Sequence, residues 1–438
     1  YNLIQNSEAF IADFATFIWG VPLLILLIGG GIYLLIRSQF LQFRLFGHAI
    51  QVLRGKYDNP NDPGEISHFQ ALTTALSATV GMGNIAGVAV AISIGGPGAV
   101  FWMWISAIIG MSTKFFTSTL AIMYRGKDSN GDIQGGPMYF ITEGLGKSWK
   151  PLAMLFSFCG LIGALPVFNV NQLTQAINDI VLVPNGVAVD FISNLIIGIS
   201  LVIVTALVIF GGLNRISKVA SKLVPSMVLL YFVLILFILF SNIDEVPIYL
   251  KLIFTDAFSA GFIKGDAVYG GVLGTLIILG IKRGAFSNEA GVGTAPMAHG
   301  AVKTSEPVRE GLVAMLGPFI DTIVVCTLTA LAILVTGVWQ TSDANGVSLT
   351  ASAFSSAMPV VGNYLLLICI AVFSISSLFS YSYYGTKCMS FLFGAKNKKY
   401  YNYFYVLSIV VGATTSLSAM INLIDSAFAL MAIPTMLA

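Results

Sequence analysis

The chain has 438 residues, of which 56% are hydrophobic and only 10% charged, with 22 Lys and Arg against 20 Asp and Glu. A soluble globular protein carries roughly 25% charged residues because its surface must be wetted, so a mean hydropathy of +0.87 calls for lipid as the remaining solvent. A net charge of +2 gives no basis for nucleic-acid binding, and three His and four Cys are too scattered for a metal cluster. Cys159, Cys326, Cys369 and Cys388 all sit in apolar stretches and read as small buried hydrophobes.

A hydrocarbon core about 30 Å thick takes roughly 20 apolar residues per helix, and about eleven stretches qualify. They run near 10–37, 68–93, 97–124, 150–178, 191–212, 219–241, 267–299, 309–338, 360–393, 403–420 and 422–438. The first lacks the small-residue cleavage site of a signal peptide and is expected to be a retained span. The pieces 41–56 and 136–146 are too short to cross, and 43–54 alternates polar and apolar like a helix lying on the membrane surface. With the N-terminus outside, the loops alternate so that every Lys and Arg except Lys251 and Lys264 falls at the inner ends, Lys282 and Arg283 among them. The C-terminus is then cytoplasmic, and the expected location is the cell membrane.

Two spans are unusual. The second carries Thr79-Val80-Gly81-Met82-Gly83-Asn84 at its centre, and the seventh holds Gly274-Thr275-Leu276-Ile277-Ile278-Leu279-Gly280. Glycines inside an apolar helix weaken it, although they also serve close helix packing. Each of these spans opens a five-helix block, 68–241 and 265–438, preceded by an extra helix in 1–67 and joined by 242–264. Five is odd, so the second block is expected to insert upside down. Inverted repeats with a broken leading helix build midplane sites in secondary transporters. At such a break the N–H groups of the following half-helix form an anion site without a charged side chain, and freed carbonyls accept a cation or an ammonium. An amino-acid zwitterion suits both.

The segments Ala75-Leu76-Ser77-Ala78-Thr79-Val80-Gly81-Met82-Gly83-Asn84-Ile85-Ala86-Gly87-Val88, Gly95-Gly96-Pro97-Gly98, Gly135-Gly136-Pro137-Met138-Tyr139-Phe140, Lys282-Arg283-Gly284-Ala285-Phe286-Ser287-Asn288-Glu289-Ala290-Gly291 and Ser382-Tyr383-Tyr384-Gly385 together resemble the alanine or glycine:cation symporter family over nearly the whole chain. The resemblance implies an all-α, leucine-transporter-like fold of ten core helices arranged as a five-plus-five inverted repeat after one extra helix. It also implies sodium co-transport, or proton coupling in some members. One departure is Ser380-Tyr381, where many members have Gly-Trp.

The resemblance further implies roles. The substrate carboxylate is expected at the amides of Met82 and Gly83, beside Thr79 and Gly81, with the amine at carbonyls near Gly274 and Ile277. One sodium would take the Asn84 side-chain oxygen, the Thr79 carbonyl and the Thr275 hydroxyl. The other would take the carbonyls of Ser77 and Val80 with the hydroxyls of Ser376 and Ser377, oxygen ligands as a hard cation demands. Met82, Phe168, Ile277 and Phe373 are candidate walls, and Gln172 is expected to border the site. Asp321 is read as the one carboxylate well inside an apolar run, and Glu289 as a structural group, with Arg283 as its candidate partner.

No zinc helix, nucleophile elbow or phosphate-binding loop is present, so no enzyme is expected. The expectation is a symporter taking up a small neutral amino acid, alanine or glycine, with sodium. The alternatives are proton drive of the same carrier or a cation channel.

Overall fold

The computed structural model describes residues 11, 13–259, 271–342, 344, 346–415 and 418–438; Lys264 lies outside them. Helix makes up most of the described part of every stretch expected to span. We number the helices that matter here α1 (Asp13–Arg37), α2 (His68–Thr79), α3 (Gly83–Gly95), α4 (Gly98–Met123), α5 (Lys147–Asn185), α6 (Phe191–Ile209) and α7 (Gly212–Ser241). These are followed by α8 (Gly271–Asn288), α9 (Thr294–His299), α10 (Pro307–Val335), α11 (Gly362–Phe393), α12 (Lys398–Thr414) and α13 (Ser418–Leu430). Among the described residues α1, α4, α5, α6, α7, α10 and α11 are each long and apolar enough to cross a membrane, and α2 with α3 passes the same test across a bend of 55°. The inner and outer helices differ in burial. The most apolar windows of α4 and α10 are 67% buried, whereas that of α6 is 22% buried and shows Ile196, Ile203 and Leu207 outward. In a chain this apolar such a face meets lipid.

The first break forms as its residues require. Ser67 and Gln70 close a capping box at the start of α2, bonding each other's backbone amides at 3.2 and 3.0 Å. The helix ends at Val80, whose ψ of 94° leaves the helical region, and resumes as α3. The second break corrects the sequence reading. α8 runs unbroken through Gly274 and Gly280, because Gly280 serves contact with α4: a Cβ there would lie 2.5 Å from the Ala99 carbonyl oxygen. The chain leaves the helix only at Glu289–Gly293, with φ of +54° at Glu289 and +100° at Gly293, before α9 begins.

One end of the bundle is sealed. Arg125, just after α4, donates to the carbonyls of Gly300 at 2.9 Å, Pro63 at 3.0 Å and Thr304 at 3.2 Å, and also to that of Val302. Ile66 and Val302 form a parallel bridge, and the imidazoles of His68 and His299 both bond the buried Glu310 carboxylate. The start of α2 and the end of α9 are therefore tied through α10. A two-stranded hairpin, β1 (Gly126–Lys127) and β2 (Ile133–Gln134), lies at the same end, where Asp128 pairs with Lys398 at 3.0 Å. Burial raises the Asp128 carboxyl, but the Lys398 ammonium and the Asn130 and Asp132 amides outweigh it and hold the group below its ordinary value. This tie therefore stabilises the fold above the ordinary carboxylate range and is lost as pH falls through the lowered value.

Candidate functional site

The two breaks meet at a cavity. Thr79, Gly81, Met82 and Gly83 line it from the first, and Phe286, Ser287 and Glu289 from the second. α5 contributes Leu165, Phe168 and Asn169, α11 contributes Tyr381, and α13 contributes Asp425 and Phe428. This inner cavity has a volume of about 50 Å³. It adjoins an outer one of about 430 Å³ through Met82, Gly83, Phe168, Phe286 and Asp425. The outer cavity is lined by Trp19 near the start of α1 and by Gly346, so it opens at the end opposite the Arg125 seal. Gln172, Lys282, Arg283 and Asn422 also face it. Lys282 and Arg283 thus lie away from the basic end to which the charge pattern assigned them, because α8 continues to Asn288 before the chain turns.

Behind the inner cavity is a buried cluster of oxygens. The Asn84 Nδ2 donates to Asp321 Oδ1 at 2.7 Å, while Ser287 and Thr322 each donate to Asp321 Oδ2 at 2.8 Å. The Asn84 oxygen accepts the Gly81 N–H at 2.8 Å, which fixes the orientation of the amide and leaves that oxygen a second lone pair. Asp321 is fully buried. A carboxylate there must be matched by donors or by a cation, and three hydrogen bonds from two breaks and α10 satisfy it in this arrangement.

A second cluster joins the first break to α11. Ser376 Oγ donates to the Ser77 carbonyl at 3.3 Å and Ser377 Oγ to that of Ala78 at 3.5 Å. Both hydroxyls also bond their own helix at the Phe373 carbonyl, at 2.8 and 3.1 Å. A Cβ on Gly81 would come 3.0 Å from Ser377 Oγ, so the four expected contributors Ser77, Val80, Ser376 and Ser377 share one neighbourhood.

Other expected residues are not brought together. Thr79, Gly81, Met82, Gly83 and Phe168 line the inner cavity and Gln172 the outer. Gly274, Thr275 and Ile277 line neither: they sit about three turns along α8 from Ser287, on the order of 18 Å for Thr275 at 1.5 Å per residue. Phe373 also lines neither, being packed with its ring 5.4 Å from that of Tyr231. Glu289 bonds the Tyr381 hydroxyl at 2.7 Å and the Thr294 hydroxyl at 2.5 Å, with no ion pair to Arg283. The departure at Tyr381 therefore places a phenol on the cavity wall. Ser287 and Asp425 escaped the sequence reading. Asp425 had a visible signal, being a second carboxylate inside an apolar run, Ile424-Asp425-Ser426.

The profile of the sodium:alanine symporter family matches residues 4–438. A sodium/alanine symporter, AgcS, of Methanococcus maripaludis is 43% identical over 96% of this chain and 92% of its own length. A probable sodium/glutamine symporter, GlnT, of Bacillus subtilis is 38% identical over 96% of this chain and 85% of its own. The crystal structure of MhsT with L-phenylalanine superposes with a TM-score of 0.60 at 16% identity, covering 85% of this chain and 89% of that one, which shows the leucine-transporter-like fold. Family profile, relatives and fold agree: the chain belongs to the sodium:alanine symporter family, whose members are membrane transporters and not enzymes.

Proposed function

We propose that this protein couples sodium influx to the uptake of a small neutral amino acid, alanine or glycine, by alternating access. The observation that carries the reading is the cavity between two broken spans with a buried carboxylate and hydroxyls directly behind it. Met82 and Gly83 open α3, where N–H groups have no acceptor one turn earlier; these amides take the substrate carboxylate. The methyl-sized side chain of alanine faces Phe168, Phe286 and Phe428. An inner volume of about 50 Å³ favours this over the larger side chain named for the GlnT relative.

Sodium is cargo here. The first ion sits at Asp321, Ser287, Thr322 and the free lone pair of Asn84, in place of the three hydrogen bonds that now satisfy the carboxylate. The second uses the Ser77 and Val80 carbonyls with the Ser376 and Ser377 hydroxyls, drawing both from their bonds to Phe373. Oxygen-only sets, one with a single carboxylate and one with none, suit a monovalent hard cation. The first site touches both breaks through Asn84 and Ser287, so sodium there favours the geometry that binds substrate, which is the coupling a symporter needs.

The basic end is cytoplasmic by the distribution of Lys and Arg, so the outer cavity faces outward and the Arg125 seal closes the inner side. The blocks 68–241 and 265–438 are the two repeats, with leading spans broken at Val80–Gly83 and at Glu289–Gly293. The test is radiolabelled alanine uptake into liposomes of the purified protein, with sodium and proton gradients imposed separately. Accumulation driven by sodium is expected. Accumulation driven by protons alone would reassign the coupling ion, and flux without saturation would point to a channel.

A further inference from the structure

The substrate ammonium lacks a partner once Gly274 and Ile277 are found inside an unbroken helix. The carboxylates that line the cavities are Glu289 and Asp425. Both oxygens of Glu289 are occupied, by Tyr381 and Thr294. Asp425 differs. Its carboxylate has no hydrogen-bond or ion-pair partner among the described residues, and it is the one charged side chain in the linings of both cavities. The charges acting on it are the cations Arg283 and Lys282, neither of which pairs with it, and among the described residues the buried Arg283 Nε also has no partner. α13 holds Asp425 in place partly through its own backbone, whose carbonyl accepts the Trp19 indole N–H at 3.2 Å.

We infer that Asp425 is the residue that receives the α-ammonium of the amino acid, first in the outer cavity and then in the inner one; this rests on the symport reading above. A zwitterion in the outer cavity finds Arg283 and Lys282 for its carboxylate and Asp425 for its ammonium. Moving inward, it exchanges the cations for the amides of Met82 and Gly83, which line the inner cavity with Asp425, and keeps the same ammonium partner throughout. A carboxylate with no other partner is a demanding filter. An analogue without the ammonium leaves it unpaired, and that penalty exceeds what a lost neutral contact would cost.

The experiment compares the parent, Asp425→Asn and Asp425→Glu in proteoliposomes, with alanine uptake competed by lactate, which replaces the ammonium by a hydroxyl. The parent is expected to prefer alanine strongly. Asp425→Asn should lose at least about tenfold in alanine affinity, the scale of one charge-assisted hydrogen bond, while lactate inhibits as well as before or better. Asp425→Glu should keep the preference for the ammonium and shift selection from alanine toward glycine, since its longer arm shortens the pocket. A role in packing alone would weaken alanine and lactate alike. Preserved alanine-over-lactate discrimination in Asp425→Asn overturns the assignment. If that variant does not fold, an unchanged alanine-to-glycine ratio in Asp425→Glu overturns it instead. A parent without sodium-stimulated alanine uptake defeats the symport reading itself, a separate outcome.

Discussion

The two broken spans are interrupted by different means. Between α2 and α3 the chain stays at negative φ and steps out of the helix at Val80; Asn84 caps the Gly81 amide, and Ser376 and Ser377 of α11 bond the carbonyls just before the break. Between α8 and α9 it passes through left-handed conformations at Glu289, Gly291 and Gly293. Here it is held by several groups: Asn288 accepts the Ala290 N–H at 3.0 Å, and Glu289 ties Thr294 to Tyr381. The first break keeps every residue in ordinary backbone space, whereas the second needs left-handed residues. A joint that can return to helix without leaving ordinary backbone space, next to one locked in left-handed conformations, is where motion is absorbed during transport, and the Asp321 cluster is the point at which the two are coupled.

The strongest way to break this comparison is to remove the coupling point. Asp321→Asn keeps the shape but loses the charge and half of the acceptor capacity facing Asn84, Ser287 and Thr322. Sodium-stimulated alanine uptake is expected to fall to background, on the order of a hundredfold or more, while sodium-independent thermal stability changes little. Uptake that keeps its sodium dependence would show that the cation binds elsewhere.

The next effect comes from the rigid break. At Gly293, φ is +100° and a Cβ would lie 2.4 Å from Thr435 Oγ1, so Gly293→Ala combines a strained backbone with a clash. A loss of about 1–3 kcal/mol is expected, read as a lower Tm in detergent. Gly87, with open space around it, supplies the control: Gly87→Ala at a helical position should leave Tm unchanged or slightly raised. Equal shifts in the two variants would mean that the second break is no stiffer than the first.

A smaller change is expected at the second cation site. Replacing both Ser376 and Ser377 by Ala removes two hydroxyls that now have alternative partners at Phe373. Sodium affinity should weaken several-fold, with alanine affinity at saturating sodium nearly intact. A sodium titration that overlays the parent's would reject those ligands.

The difference between the breaks also explains what could be read from the sequence. Thr79-Val80-Gly81-Met82-Gly83-Asn84 announces its break because the polar cap lies within the interruption. Ser287-Asn288-Glu289-Ala290-Gly291 announces its break too, but only once the positive φ values are known; the glycines upstream drew attention because they are alike in composition. What separates Gly280 from Gly293 is the neighbour each one meets, α4 in one case and Thr435 and Phe156 in the other, and that is a tertiary property. The membrane class, seven of the expected spans and the first break depend on local pattern and were legible. The inward partners of Asn84 depend on α10 reaching the break from some 240 residues away along the chain, and pattern alone does not carry that.

The smallest expected effect gives the sharpest contrast with Asp321. Thr275 was expected to ligate sodium from the family resemblance; in the fold it stands on an intact helix about three turns from Ser287. Thr275→Val keeps the volume and removes the hydroxyl, so sodium affinity should stay within about twofold of the parent, with alanine affinity likewise unchanged. Because an intact α8 carries its carbonyls in its own ladder, only the end of the helix offers free groups to a ligand. A strong loss of sodium affinity in Thr275→Val would therefore require α8 to open at Gly274–Gly280 in the working protein, and would move the second break back to the place that composition first suggested.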